Sequence, residues 1–343
     1  MLRLLRLLRL LRLIRFLVYI GFALAAVFFI WLIGMAALPL SLPAQNLEFS
    51  VAPGSALRSA ARQIAEAGVP VSEFHFTLMA RIAGKGTRIK AGSYELAQGA
   101  TPWEILQKIT SGESLLSEVL FVEGWNFGQM RAALDAMAGV RHDTRGMSDA
   151  QIMERIGAAA GQPAEGMFFP DTYLFPKGES DLKILARAHR LMQRKLAQIW
   201  EDRGEEILVK SPYEALILAS IVEKETGAQA ERATIAGVFS NRLRIGMRLQ
   251  TDPTVIYGMG ESYKGNIRRV DLETDTPFNT YTRAGLPPHP IAMPGLAALR
   301  AAVNPAKTDA FYFVARGDGS HQFSRTLDEH NRAVTRYQKN GRR

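Results

Sequence analysis

Two glutamates, Glu223 and Glu225, close the most apolar stretch of the chain outside its first forty residues. From Tyr213 to Val222 the sequence carries Ala215, Leu216, Ile217, Leu218, Ala219, Ile221 and Val222, so a helix here is expected to be buried on every side. A carboxylate delivered at the end of such a helix is either paired or functional, because losing water disfavours its charged form and raises its pKa. That is the state a general acid needs near neutral pH. Glu223 and Glu225 stand two positions apart, about 200° around a helix. One of them is expected to face a cleft, and the other to turn toward a cation such as Arg232, Arg242 or Arg244. Periodicity does not choose between them.

Further along, Ile235, Val238, Phe239 and Leu243 mark a second amphipathic helix that carries Asn241 and Arg242. The run from Met247 to Gly258 then brings Gln250, Asp252 and Tyr257 close together, and Asn279, Thr280 and Tyr281 precede the rigid Gly285-Leu286-Pro287-Pro288. Side chains that donate and accept hydrogen bonds, set beside aromatics, suit the hydroxyls and the apolar faces of a sugar. Glu223, Asn241, Gln250, Asp252, Tyr257, Asn279 and Tyr281 are therefore the candidate groove residues around Glu225. Upstream, Glu165 to Tyr173 packs aromatics, a proline and two acids into nine residues. It reads as a rigid loop anchored by Phe168 and Phe169, with Glu165 and Asp171 as lesser candidates for the cleft.

The elements that must position these residues begin with an N-terminal span. Phe16 to Leu38 is free of charge and, as a helix, spans roughly 35 Å, enough to cross a bilayer and longer than a cleaved signal segment. Arg3, Arg6, Arg9, Arg12 and Arg15 precede it and act as a topology signal, so residues 1–15 are expected in the cytoplasm and everything after Pro39 outside, on a single-pass inner-membrane anchor over 16–38. These arginines also supply five of the nine net positive charges. The balance left for the rest is mild, so nucleic acid is not expected as a partner. The chain has no cysteine, which excludes disulfides, thiolate catalysis and thiolate-bound zinc. The six histidines are scattered and read as ordinary core or surface residues; neither a metal nor a cofactor is expected. HExxH, Gly-x-Ser-x-Gly and GxGxxG are missing, and Gly84-Lys85-Gly86-Thr87 is not a Walker sequence.

After a linker over 39–46, Leu47, Phe49 and Val51 alternate with Glu48 and Ser50 as in a half-buried strand. Two helices follow, one around Leu57, Ala61 and Ile64 and one capped by Ser72, and then a strand around Gly92, Tyr94 and Leu96. Thr101-Pro102-Trp103-Glu104 is a capping box with proline at the first helical position, and Gly112 closes that helix. The fold class expected is α+β: a small unit over 47–115 and a larger catalytic domain over 116–343.

The small unit, opened by Pro53-Gly54-Ser55 and containing Lys90-Ala91-Gly92-Ser93-Tyr94, resembles the LysM-like region of one bacterial family, which implies contact with N-acetylglucosamine polymers; a structural spacer is the other reading. The resemblance tightens over Ala219 to Gly258, Phe278 to Tyr281, Gly285 to Pro288, Pro294-Gly295, Asn304-Pro305 and Phe311 to Val314. These stretches resemble the YceG-like endolytic murein transglycosylases, the MltG family, across nearly the whole chain after the anchor. The resemblance implies that the second glutamate of Glu-Lys-Glu, Glu225, is catalytic. It further implies a non-hydrolytic cut of the β-1,4 bond between N-acetylmuramic acid and N-acetylglucosamine, with a 1,6-anhydro ring formed on the muramic acid. The partners implied are peptidoglycan glycan strands and the cytoplasmic membrane, and whether peptidoglycan synthases bind alongside stays open. A water-using muramidase with a second carboxylate, and a non-enzymatic glycan-binding scaffold, are the competing expectations.

Overall fold

The computed structural model describes residues 2–52 and 54–339, with side chains described over 11–52 and 54–338. Pro53 and the side chains of Arg3, Arg6 and Arg9 lie outside the described residues. The chain divides into two compact units, Met1–Ser117 and Glu118–Arg343.

The first unit opens with a helix, Leu2–Ala37, of which Leu11–Ala37 is long and apolar enough to cross a membrane, at a mean hydropathy of 2.6. Most of its described side chains stand uncovered, Tyr19 and Phe22 at 72% exposed each, while Leu32 near its end is buried in the core of the unit. The helix continues without interruption from the arginine-rich stretch into the apolar one, because Leu, Arg and Ile all sustain helix and no Gly or Pro separates them. Beyond it, strands Asn46–Val51 and Gly92–Ala97 pair antiparallel, with Phe49 opposite Tyr94 and Leu47 opposite Leu96. Helices Leu57–Glu66 and Glu73–Ile82 lie between them in sequence, so the strand-helix-helix-strand order read from the pattern is the order found. Phe49 stacks on Tyr94 at 5.4 Å over a core that includes Ile64, Leu96, Ile105 and Ile109. The capping box forms: the Glu104 N–H donates to Thr101 Oγ1 at 3.2 Å, and the Thr101 N–H donates to Glu104 Oε2 at 2.9 Å. Helix Pro102–Ser111 then ends on Gly112 at φ 84°, a left-handed conformation that costs glycine little.

The second unit begins within strand Leu116–Leu120, which pairs with Thr172–Pro176. A short parallel pair, Val140–Arg141 with Glu179–Ser180, and an antiparallel hairpin, Tyr312–Ala315 with His321–Ser324, complete its strands among the described residues. Helices make up the rest. Their centre is Pro212–Glu225, whose start is fixed by the Ser211 hydroxyl accepting the Glu214 N–H and by proline at the first position. Every residue from Ala215 to Val222 is buried, as the unbroken apolar run required. Around it pack Asp181–Glu201, Arg232–Arg244, Asp252–Met259 and Leu296–Val303. Burying a helix on all sides leaves its C-terminal turn as the place where it meets a cavity, and that turn carries the two glutamates. Gly237 lets the Arg232–Arg244 helix approach the next segment closely, since a Cβ there would sit 2.4 Å from the Ala306 carbonyl. The 165–173 loop is plugged by Phe168, which is fully buried and stacked on Phe127 at 4.8 Å.

Candidate active site

The two glutamates leave the same helix end in different directions and meet different surroundings. Glu223 is consumed by structure. Its Oε1 accepts from Arg232 at 2.9 Å and its Oε2 accepts the Gly295 N–H at 2.9 Å, so both oxygens are satisfied, and its side chain is 5% exposed. Burial raises its pKa, with the Gly295 N–H and the Arg232 guanidinium pulling the other way. A Cβ on Gly295 would meet the carboxylate end of the half-exposed Glu123 side chain, which would have to move aside.

Among the described residues, no cation pairs directly with Glu225. The Thr251 hydroxyl donates to Glu225 Oε1, and desolvation pushes the carboxyl up to about 7, with Asp252 raising it further and Thr251, His321 and Arg242 lowering it. Half of such a population carries a proton at neutral pH, which a general acid requires. The carboxyl opens into a cavity of about 480 Å³ lined by Arg242, Gln250, Asp252, Tyr281, Tyr312, His321 and His330 among others. That volume falls in the range of small-ligand sites, about 300 to 1,000 Å³.

The walls explain how Thr251 is held. The chain turns at Gln250, the one non-glycine residue at positive φ (50°) among those described, a conformation that costs a non-glycine residue energy and is kept where the surroundings over-determine it. The Gln250 N–H donates to the Thr280 carbonyl at 3.1 Å, and the Thr251 N–H donates to Thr280 Oγ1 at 3.1 Å. Behind them Asn279, 1% exposed, gives its amide N–H groups to the Leu272 and Thr274 carbonyls at 3.0 and 2.7 Å, and its Oδ1 accepts from the Tyr281 N–H. The Tyr281 hydroxyl donates to Asp252 Oδ1 at 2.5 Å. Arg242, 7% exposed, donates to the Phe311 and Leu249 carbonyls at 2.6 Å each and lies 5.2 Å from the Tyr312 ring centre. It brings a fixed positive charge to the floor of the cavity without neutralising Glu225 by direct contact.

Of the residues singled out in the sequence, the structure therefore gathers Glu225, Gln250, Asp252 and Tyr281 around one cavity. Glu223 belongs to the Arg232 pair. Asn279 is a buried brace for the loop that carries Tyr281. Asn241 is elsewhere: its amide donates to the Thr308 and Ala310 carbonyls at 2.8 and 3.0 Å, and it borders a separate cavity of about 820 Å³ with Glu206, Arg244 and Lys307. That cavity is larger, but neither glutamate of the Pro212–Glu225 helix end lines it. Tyr257 packs on Phe278 and His289 and lies beside Glu165, not beside Glu225. Glu165 is itself pushed up to about 7 by burial, against the Phe127 N–H and the Tyr257 hydroxyl. It is 8% exposed and lines none of the cavities around Glu225, and Asp171 is exposed at the surface, so a raised pKa alone does not make a site. The cavity also takes in three residues that carried no role in the sequence reading: His321, read as ordinary, and Tyr312 and His330. The last two stack at 5.3 Å in the cavity wall. Tyr312 and His321 stand on the strands Tyr312–Ala315 and His321–Ser324 about a Gly-Asp-Gly-Ser turn, and His330 on the helix Leu327–Val334, where the pattern marks elements and not a site.

The sequence pattern of the YceG-like family matches residues 49–336. The chain is similar, at 32% identity over 308 residues and 85% of each chain, to an endolytic murein transglycosylase of Bacillus subtilis (strain 168). It is 27% identical over 285 residues to an endolytic murein transglycosylase of Streptococcus pneumoniae serotype 2 (strain D39), covering 73% of this chain and 51% of that one. Among solved structures, it resembles the yceG-like protein lmo1499 of Listeria monocytogenes at a TM-score of 0.53 and 28% identity, over 84% of this chain and 99% of that one.

Proposed function

Because this chain belongs to the YceG-like family, we propose that it is an endolytic murein transglycosylase, a lyase acting on peptidoglycan glycan strands, with Glu225 as its acid. The observation that carries the assignment is a single carboxyl, half-buried and pushed up to about 7, at the mouth of a cavity walled by aromatics and hydrogen-bonding groups. Protonated Glu225 donates to the glycosidic oxygen between N-acetylmuramic acid and N-acetylglucosamine as positive charge grows at the muramic C1. Tyr281 and Tyr312 supply aromatic wall to the sugars, and Gln250 and Asp252 offer hydrogen-bond partners to their hydroxyls. The C6 hydroxyl of the same muramic acid then closes on C1, giving the 1,6-anhydro end, and no water is consumed. In the one-glutamate scheme that the family resemblance implies, the Glu225 carboxylate collects the C6 proton.

Asp252 in the same cavity favours one competing reading, hydrolysis, in which a second carboxylate directs water from the far face of the sugar. Digestion of purified glycan strands by the full-length protein in detergent, read by mass spectrometry, separates the two: anhydro ends support the lyase, reducing ends the hydrolase. Absence of new ends would leave a glycan-binding scaffold.

The N-terminal helix anchors the protein in the cytoplasmic membrane, with the arginine-rich end inside and the enzyme outside, since cationic flanks are retained on the cytoplasmic side. Residues 47–115 form a LysM-like unit that contacts the glycan, and residues 116–343 carry the chemistry; peptidoglycan synthases are the partners this placement suits. Loss of sedimentation with insoluble peptidoglycan on deleting 47–115 supports the first assignment; unchanged sedimentation makes that unit a spacer.

A further inference from the structure

The one-glutamate scheme asks Glu225 to give one proton and collect another. The cavity contains a second group built to handle a proton. His321 opens the second strand of the Tyr312–Ala315/His321–Ser324 hairpin, and its Nδ1 lies 2.6 Å from Glu231 Oε2. Its backbone N–H donates to the other oxygen of the same carboxylate, Glu231 Oε1, at 2.9 Å. An ionised carboxylate can only accept, so the hydrogen sits on Nδ1, and in the neutral ring the lone pair falls on Nε2. Two contacts from one carboxylate, together with the edge-on Phe313 ring at 5.5 Å, fix the plane of the imidazole. The side chain is 12% exposed, lines the same cavity as Glu225, and is near enough for its charge to act on the Glu225 carboxyl. An imidazole with one nitrogen anchored by a carboxylate and the other without a hydrogen-bond partner among the described residues is the arrangement of an oriented general base.

Resting on the lyase reading above, we propose that His321 is the base of the ring-closing step and that Glu231 is its positioning residue. Glu225 gives its proton to the glycosidic oxygen as the C1–O bond breaks and the leaving strand departs as an alcohol. The C6 oxygen bonds to C1, and the C6 hydroxyl proton passes to His321 Nε2. The imidazolium then returns a proton to the Glu225 carboxylate through the solvent of the cavity, which restores both groups. Splitting the two transfers between two residues removes the need for one carboxyl to reach both the bridging oxygen and the C6 hydroxyl.

The test compares two substrates in full-length protein: natural glycan strands, and a muramyl glycan carrying a nitrophenyl leaving group that departs without an acid. His321→Gln is expected to lower kcat about a hundredfold on both, with KM and melting temperature near those of the parent. Glu225→Gln is expected to recover at least tenfold, relative to its loss on natural strands, when the leaving group is activated. Glu231→Gln keeps an acceptor for Nδ1 but removes the charge, and is expected to lower kcat about tenfold; at parental kcat it overturns the proposal even where His321→Gln fails to fold. A kcat for folded His321→Gln within threefold of the parent overturns it, as does a Glu225→Gln defect that persists in full on the activated substrate. Failure of the unsubstituted enzyme to make anhydro ends counts against the lyase reading itself, whereas anhydro ends made by His321→Gln at the parental rate count only against this base.

Discussion

The two sides of the last turn of helix Pro212–Glu225 place chemically identical side chains in opposite circumstances. On one side Glu223 is nearly as inaccessible as a carboxylate can be, yet every oxygen it owns is met by Arg232 or the Gly295 N–H. On the other, Glu225 is also largely withdrawn from water but receives a single hydroxyl and faces another acid, Asp252. Burial depth therefore does not decide which glutamate does chemistry; what decides is whether the lost water was replaced by charge or left unreplaced. The buried Glu165 extends the point, since its raised pKa comes at a place outside the cavity that Glu225 lines.

Breaking the reactive side should give the largest effect. Glu225→Gln is expected to lower strand cleavage by about a thousandfold or more, as loss of a group that acts on the reacting bond does, while Glu223→Gln keeps turnover per folded molecule within about tenfold. Breaking the structural side should instead appear in stability. Glu223→Gln strands Arg232 without its nearest counter-charge and is expected to cost about 3 kcal/mol in chemical denaturation. Equal activity losses in the two variants would erase the distinction.

A smaller effect, of the opposite sign, sharpens it. The Glu225 pKa in the fold, about 7, lies above its ordinary 4.5, so between those values the folded state holds a proton that the unfolded chain has released. Stability contributed by this group is thus present below about pH 4.5 and lost as pH rises toward and through 7. Glu225→Gln is expected to be more stable than the parent at pH 8 by on the order of 2 kcal/mol, with the gain vanishing near pH 4.5. The smallest effect belongs to Thr251→Val. It removes the hydroxyl that lowers the Glu225 pKa, so the alkaline limb of the rate profile moves to higher pH while kcat changes only a few-fold.

How much of this was legible in the sequence follows the range of the interactions. The buried helix, the capping box at Thr101 and Glu104, the glycine stop at Gly112 and the plugged loop at Phe168 are local patterns, and they appear where the residues place them. The partners of the two glutamates are not local. Glu223 is satisfied by Gly295, 72 positions away, and by an arginine on the next helix. His321 meets Glu231 across 90 positions, with no motif to announce it. A mixture of amides, hydroxyls and aromatics also builds rigid loops as readily as it lines a sugar groove. That is why Asn279 and Asn241 spend their amides on main-chain carbonyls while Gln250 and Tyr281, from the same stretches, reach the cavity.

The most direct test of the central claim is the titration of Glu225 itself, followed as the carboxyl infrared band present in the parent and missing from Glu225→Gln. A protonated band that persists through pH 6 and disappears with a midpoint near 7 is the predicted result. A midpoint near the ordinary 4.5 would contradict it, because a carboxylate already ionised at neutral pH cannot serve as the acid.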